Sequence, residues 1–195
     1  MTAATRRTIV LAAGGTGGHM FPARALAREL LARGMRPILV TDKRGGGFGP
    51  DLADQVPTYH IAAAGYAGTD MLGKTGSLLK ASLGYLAARR ILSRERPEAV
   101  VGFGGYAALP TCIAATHKRV RLVIHEQNAV LGRANRFLAP DAQAIATSFP
   151  EVTGVREPHT AKIHLTGNPV RSSFVDVGRK PYAVADGDGP LRLLV

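Results

Sequence analysis

Ala12–Ala23 reads AAGGTGGHMFPA. Gly14, Gly15, Gly17 and Gly18 flank Thr16, and His19 follows at once. The apolar run TIVLAA (8–13) leads into the glycines, and the helix-like ARALARELLARG follows Pro22. Strand, glycine turn and helix in that order make the opening of a βα unit. Glycines at such a turn accept positive φ and let a ligand come close to the backbone. The unpaired amides at the start of the next helix favour an anion, typically phosphate.

The same rhythm continues along the chain. Strands are predicted at 8–13, 36–42, 58–62, 98–103, 121–126, 142–148 and 162–167, and helices at 22–33, 76–96, 106–117 and 131–138. β-Branched runs alternating with longer helical patterns predict an α/β fold with a Rossmann-like, doubly wound parallel sheet. Ligands of such sheets bind beyond the carboxyl ends of the strands, so the loops that follow the strands carry the chemistry. Residues 1–177 are expected to form one domain, 178–190 (GRKPYAVADGDGP from Gly178) a linker, and LRLLV (191–195) either a last edge strand or the first strand of a further domain.

Composition narrows the partners. The chain has 195 residues, 46% of them hydrophobic, and a formal net charge of +11. An anionic partner follows from that charge: nucleic acid, anionic lipid or a phosphorylated substrate. Cys112 is the only cysteine, which excludes a disulfide framework and a cysteine-rich zinc site within one chain. No run of residues approaches the roughly 20 apolar positions of a spanning helix.

Further loops repeat the first theme. GFGGYAALP (102–110) is again strand, glycines, helix, with Gly104, Gly105 and Tyr106 at the turn. HEQN (125–128) puts four polar residues at a strand's carboxyl end, where burial without partners is costly. Those residues are expected to line a cleft or to form a polar network. Two competing motifs stand beside these. The dinucleotide fingerprint G-x-G-x-x-G is nearly met at Gly15, with Asp42 placed to hold a ribose, but its third glycine is Met20 and the His19 imidazole would crowd a dinucleotide. GTDMLGKT (68–75) satisfies the P-loop expression, yet no buried strand runs directly into it.

Taken together, AAGGTGGHMFPA, VVGFGGYAALP, VIHEQNAVLGRANRFLA and LTGNPVR occur in this order from Thr8 to about Arg171. The set resembles the N-terminal half of the bacterial glycosyltransferases that add N-acetylglucosamine to undecaprenyl-pyrophosphoryl-N-acetylmuramyl-pentapeptide. The resemblance implies the two-domain GT-B fold, this chain being the acceptor-binding domain and LRLLV the start of a donor-binding domain that is missing. It implies UDP-N-acetylglucosamine and the undecaprenyl-linked muramyl-pentapeptide as substrates, no cofactor, no metal, and an inverting displacement. It places Thr16, Gly17, Gly18, Asn128 and Arg171 on the donor side, and Gly104, Gly105, Tyr106 and His125 on the acceptor side. His19 is the candidate general base and Glu126 its rival, because an imidazole titrates near neutrality.

A lipid-borne acceptor and a chain without a spanning segment together imply docking at the cytoplasmic face of the bacterial inner membrane. SLLKASLGYLAARRIL (77–92) offers two apolar stripes. Leu78, Tyr85 and Leu92, with Lys80 and Arg89 beside them, are expected to face anionic lipid, and Leu79, Leu83 and Leu86 to face the core. Two other classes stay in play at this point: a P-loop nucleotide-binding protein using 68–75, and a basic nucleic-acid-binding module. Scattered bases and only 6% aromatic residues speak against nucleic acid.

Overall fold

A computed structural model describes residues 6–63, 71–179 and 181, with only the backbone described at 71–75, 172 and 173. The elements run β1 (Thr8–Ala12), α1 (Gly17–Ala32), β2 (Arg36–Thr41), α2 (Pro50–Ala53), β3 (Thr58–His60), α3 (Met71–Glu95), β4 (Ala99–Gly102), α4 (Gly105–His117), β5 (Arg121–Glu126), α5 (Arg133–Leu138), β6 (Ala144–Thr147), α6 (Glu157–Thr160), β7 (Ile163–Leu165) and α7 (Ser172–Gly178). All the strands pair in parallel in one seven-stranded sheet of order β3-β2-β1-β4-β5-β6-β7. The strand order reverses between β1 and β4, which places a ligand crevice at the carboxyl ends of those two strands.

Helices cover both faces, so the central strands are apolar along most of their length. One core packs α1 and α2 through Ala23, Ala27 and Leu52 against Leu11, Leu39 and Phe103. The other packs α3, α4 and α5 through Leu92, Ala108, Cys112 and Leu138 against Val10, Val100 and Ile124. The predicted sheet is therefore present, with each of the seven strands predicted between residues 8 and 167 represented among the described residues. Helix α3 starts earlier than expected, so Met71–Thr75 of the P-loop match form its first turn; residues 68–70 lie outside the described residues. The predicted strand at 191–195 and nearly all of the predicted linker also lie outside them.

The stripes of α3 correct an expectation. Leu92, expected to face lipid, is 1% exposed, whereas Leu79, Leu83 and Leu86, expected in the core, are 63%, 54% and 49% exposed. The cause is close packing by small residues. Gly84 sits so tightly under the chain after β3 that a Cβ there would overlap the Ala62 carbonyl oxygen. Ala88 and Leu92 continue that face at helical spacing and belong to the core. Tyr85 flanks it, its hydroxyl 2.7 Å from Nδ1 of His117 on α4. The three outward leucines occupy the opposite side of the helix.

Candidate functional site

The β1–α1 and β4–α4 turns meet across the strand-order reversal. Gly104 and Gly105 both have positive φ, 84° and 71°, a conformation that costs any side-chain-bearing residue. The His19 ring lies on this pair: Nε2 is 3.3 Å from the position a Cβ would take on either glycine. A side chain there would push the imidazole away. Thr16, the residue before α1, makes no side-chain bond to that helix's amides. Its Oγ1 instead lies 3.1 Å from His19 Nδ1. When Nδ1–H donates to that hydroxyl, the Nε2 lone pair is free to accept a proton. Burial pulls the imidazole below its ordinary value, and the nearby Glu126 carboxylate pulls more weakly the other way. His19 is thus neutral at neutral pH, the form a base needs.

His19, Gly104, Gly105, Tyr106, Glu126 and Asn128 line one cavity of about 320 Å³. The structure therefore gathers residues from three separate loops into one place. Glu126 is 2% exposed and has no free lone pair. Its Oε1 accepts from the Asn128 backbone N–H at 3.1 Å and from Asn128 Nδ2 at 3.0 Å. Its Oε2 accepts from the Gly132 N–H at 2.8 Å and from Asn135 Nδ2 at 2.9 Å. A carboxylate with four donors already in place organises the 126–135 loop.

His125 departs from its expected acceptor-side position. It is 3% exposed, packs on the Phe103 ring, and does not line the cavity. Gln127 Nε2 donates to its Nδ1 at 3.0 Å, so its Nε2–H donates to the Gly167 carbonyl at 3.3 Å. Nε2 thus ties β5 to the chain after β7 while Nδ1 is taken by Gln127, and burial pulls this imidazole below its ordinary value too.

Thr16, Gly17 and Gly18 form an exposed rim at the start of α1, next to His19. The Gly17 and Gly18 amides donate to nothing among the described residues, and no acid sits in that first turn. Phe21 stands over Gly17, close enough that a Cβ on the glycine would reach 2.8 Å from the ring. Arg171 stacks between Phe21 and Phe174, 4.9 and 5.0 Å from the ring centroids. Arg171 is thereby brought to the rim that carries Gly17, from the far end of the sheet.

Gln127 lines the cavity as expected of the HEQN stretch, whereas sequence reasoning missed Gly132, Arg133 and Asn135 of the cavity wall. Asn135 carried a signal: it follows Leu131 by four positions and precedes Leu138 by three, so it falls on their buried face. A polar residue there needs partners. It finds them in Glu126 and in the His125 carbonyl, to which Nδ2 also donates at 3.0 Å.

A doubly wound domain with two glycine turns facing each other over a histidine has the form of a GT-B glycosyltransferase's N-terminal half. Residues 9–147 match the glycosyltransferase family 28 N-terminal domain, and the chain belongs to that family. It is 52% identical, over 187 residues, to the UDP-N-acetylglucosamine--N-acetylmuramyl-(pentapeptide) pyrophosphoryl-undecaprenol N-acetylglucosamine transferase of Rhodospirillum centenum, covering 96% of this chain and 49% of that one. The protein of the same name from Paramagnetospirillum magneticum is 50% identical over 187 residues, again 96% of this chain and 50% of that one. The crystal structure of Acinetobacter baumannii MurG superposes with a TM-score of 0.68 at 30% identity, covering 85% of this chain and 46% of that one. The chain spans about half the length of the curated relatives it matches. Family membership displaces the P-loop and dinucleotide readings of the chain.

Proposed function

We propose that the chain is the acceptor-binding half of an inverting N-acetylglucosaminyltransferase of peptidoglycan precursor synthesis. The donor is UDP-N-acetylglucosamine, and the acceptor is the muramyl 4-hydroxyl of undecaprenyl-pyrophosphoryl-N-acetylmuramyl-pentapeptide. The relatives' names supply the two substrates. The observation that carries the chemistry is His19 Nε2, seated on Gly104–Gly105 at the mouth of a cavity walled by Tyr106, Glu126 and Asn128.

The acceptor oxygen attacks the anomeric carbon, the bond from that carbon to the UDP oxygen breaks, and the hydroxyl proton passes to His19 Nε2. Glu126 acts as a positioning residue, holding Asn128 and the turn at Gly132 through its four hydrogen bonds. Charge developing on the leaving UDP faces the Gly17 and Gly18 amides at the positive end of α1. Thr16, Asn128 and Arg171 complete the donor-facing rim, and Gly104, Gly105 and Tyr106 the acceptor side.

The acceptor is anchored in a bilayer, and no helix among the described residues is long and apolar enough to cross one. Peripheral docking at the cytoplasmic face of the inner membrane is therefore part of the proposal. The exposed leucines of α3, Leu79, Leu83 and Leu86, with Leu78 and Tyr85 alongside and Lys80 and Arg89 as cations, suit an anionic surface.

A version of the chain extended to the relatives' length tests the reaction. Labelled N-acetylglucosamine is expected to move from UDP onto the lipid-linked acceptor and not onto its 4-deoxymuramyl analogue. Equal labelling of both would refute the assigned nucleophile.

A further inference from the structure

A second cavity, of about 460 Å³, opens beside the first, and Arg133 lines both. Its basic side chains are Arg133, Arg136, Arg156 and His159, and no carboxylate lines it. None of the three arginines forms an ion pair among the described residues, although Glu151 and Glu157 lie on the same stretch of chain. Three arginines without an ion-pair partner among the described residues line one concavity, and an anion bound there relieves their mutual repulsion.

The concavity is built rather than incidental. The chain at 129–131 is stapled to the chain at 153 by Leu131 N–H donating to the Thr153 carbonyl at 2.8 Å, and Thr153 N–H donating to the Ala129 carbonyl at 2.9 Å. Arg136 Nη2 donates to the Leu131 carbonyl at 3.1 Å, which fixes that guanidinium in place. The same atom lies 2.8 Å from where a Cβ on Gly154 would be, and Gly154 has φ +84°. Only glycine lets the arginine lie there. His159 adds a buried Nδ1 with no partner among the described residues.

We infer that this cavity is an oxyanion site for a phosphate group, separate from the candidate catalytic cavity and parted from it by the Arg133 side chain. Planar, multidentate guanidinium groups match the oxygens of phosphate, and the shallow apolar flank at Phe137 and Pro140 leaves room for what the phosphate is attached to. The inference stands on these residues alone and does not depend on the transferase reading. Two sources share the chemistry: free phosphate, and the phosphodiester of an anionic phospholipid headgroup.

The test uses inorganic phosphate as the first probe, titrated calorimetrically into the chain at constant ionic strength set with chloride. Saturable binding is expected. It should weaken about tenfold or more in Arg136→Gln with Arg156→Gln, since two charge-assisted hydrogen bonds are removed. Gly154→Ala keeps every charge but displaces Arg136, and should weaken binding as well. Arg33→Gln with Arg94→Gln removes the same charge from exposed arginines elsewhere and should bind like the parent. Circular dichroism of each variant checks that the fold is retained. Sedimentation with phosphatidylcholine vesicles, with and without phosphatidylglycerol, separates the sources. Loss of phosphatidylglycerol-dependent binding in the double variant assigns the headgroup, and unchanged vesicle binding beside lost phosphate binding assigns free phosphate. Equal phosphate binding by parent and double variant, or a response that follows ionic strength alone, overturns the inference.

Discussion

His19 and Glu126 border the same cavity, and their hydrogen bonds assign them opposite duties. His19 has one nitrogen engaged and one free, while the Glu126 carboxylate has both oxygens committed twice over. In an enzyme of full length, His19→Ala should lower turnover by about 10²–10⁴-fold with little loss of donor affinity. The pH dependence follows from sign. The His19 imidazole is shifted below its ordinary 6.5, its neutral form is the active one, and so kcat/KM should rise with pH through an acid limb lying below 6.5 and stay level above it. That limb should vanish in His19→Ala; a limb that persists unchanged would move the base elsewhere. Glu126→Gln tests the other duty. It turns a donor towards donors, so the fold should lose about 2 kcal/mol by denaturant titration. The acid limb should survive in whatever turnover remains, and its disappearance would make Glu126 the base. At this scale the sequence was legible where a residue's type dictated its chemistry, as with a histidine on a glycine turn. It was illegible where burial decided. HEQN reads as four equivalent polar residues, and only the packing shows that His125 is a strut, Glu126 a hub and Asn128 the exposed face.

Among the elements, the strands were readable because a parallel sheet buried on both faces writes itself as apolar runs bounded by glycine. Helix α3 was readable as a helix but not in its orientation. Weight given to leucine put Leu79, Leu83 and Leu86 inside, whereas Gly84 and Ala88 set the contact because small residues let helices and chain approach most closely. The leucines left outside make the docking expectation more specific. Lys80→Glu with Arg89→Glu should abolish sedimentation with phosphatidylglycerol-containing vesicles while circular dichroism stays unchanged. Each of these cations adds on the order of 1 kcal/mol near such a surface. Binding that survives the double substitution, or that is equal for neutral vesicles, would place the docking face elsewhere.

For the whole molecule, the strand-order reversal between β1 and β4 puts both glycine turns, the HEQN loop and Arg171 towards one edge of the sheet, which is where the account seats an acceptor. The proposed function requires that this chain bind the acceptor through the loops around Gly104 and Gly132 and touch the nucleotide sugar only at the start of α1. Amide NMR of the chain, titrated separately with a short-chain water-soluble muramyl-pentapeptide pyrophosphate lipid and with UDP-N-acetylglucosamine, tests it directly. The acceptor analogue is expected to shift the amides of Gly104–Tyr106 and Gly132–Asn135 saturably, and the nucleotide sugar to produce weak changes confined to Thr16–Gly18. Acceptor shifts absent from both loops, or tight binding of the nucleotide sugar to this chain by itself, would contradict it.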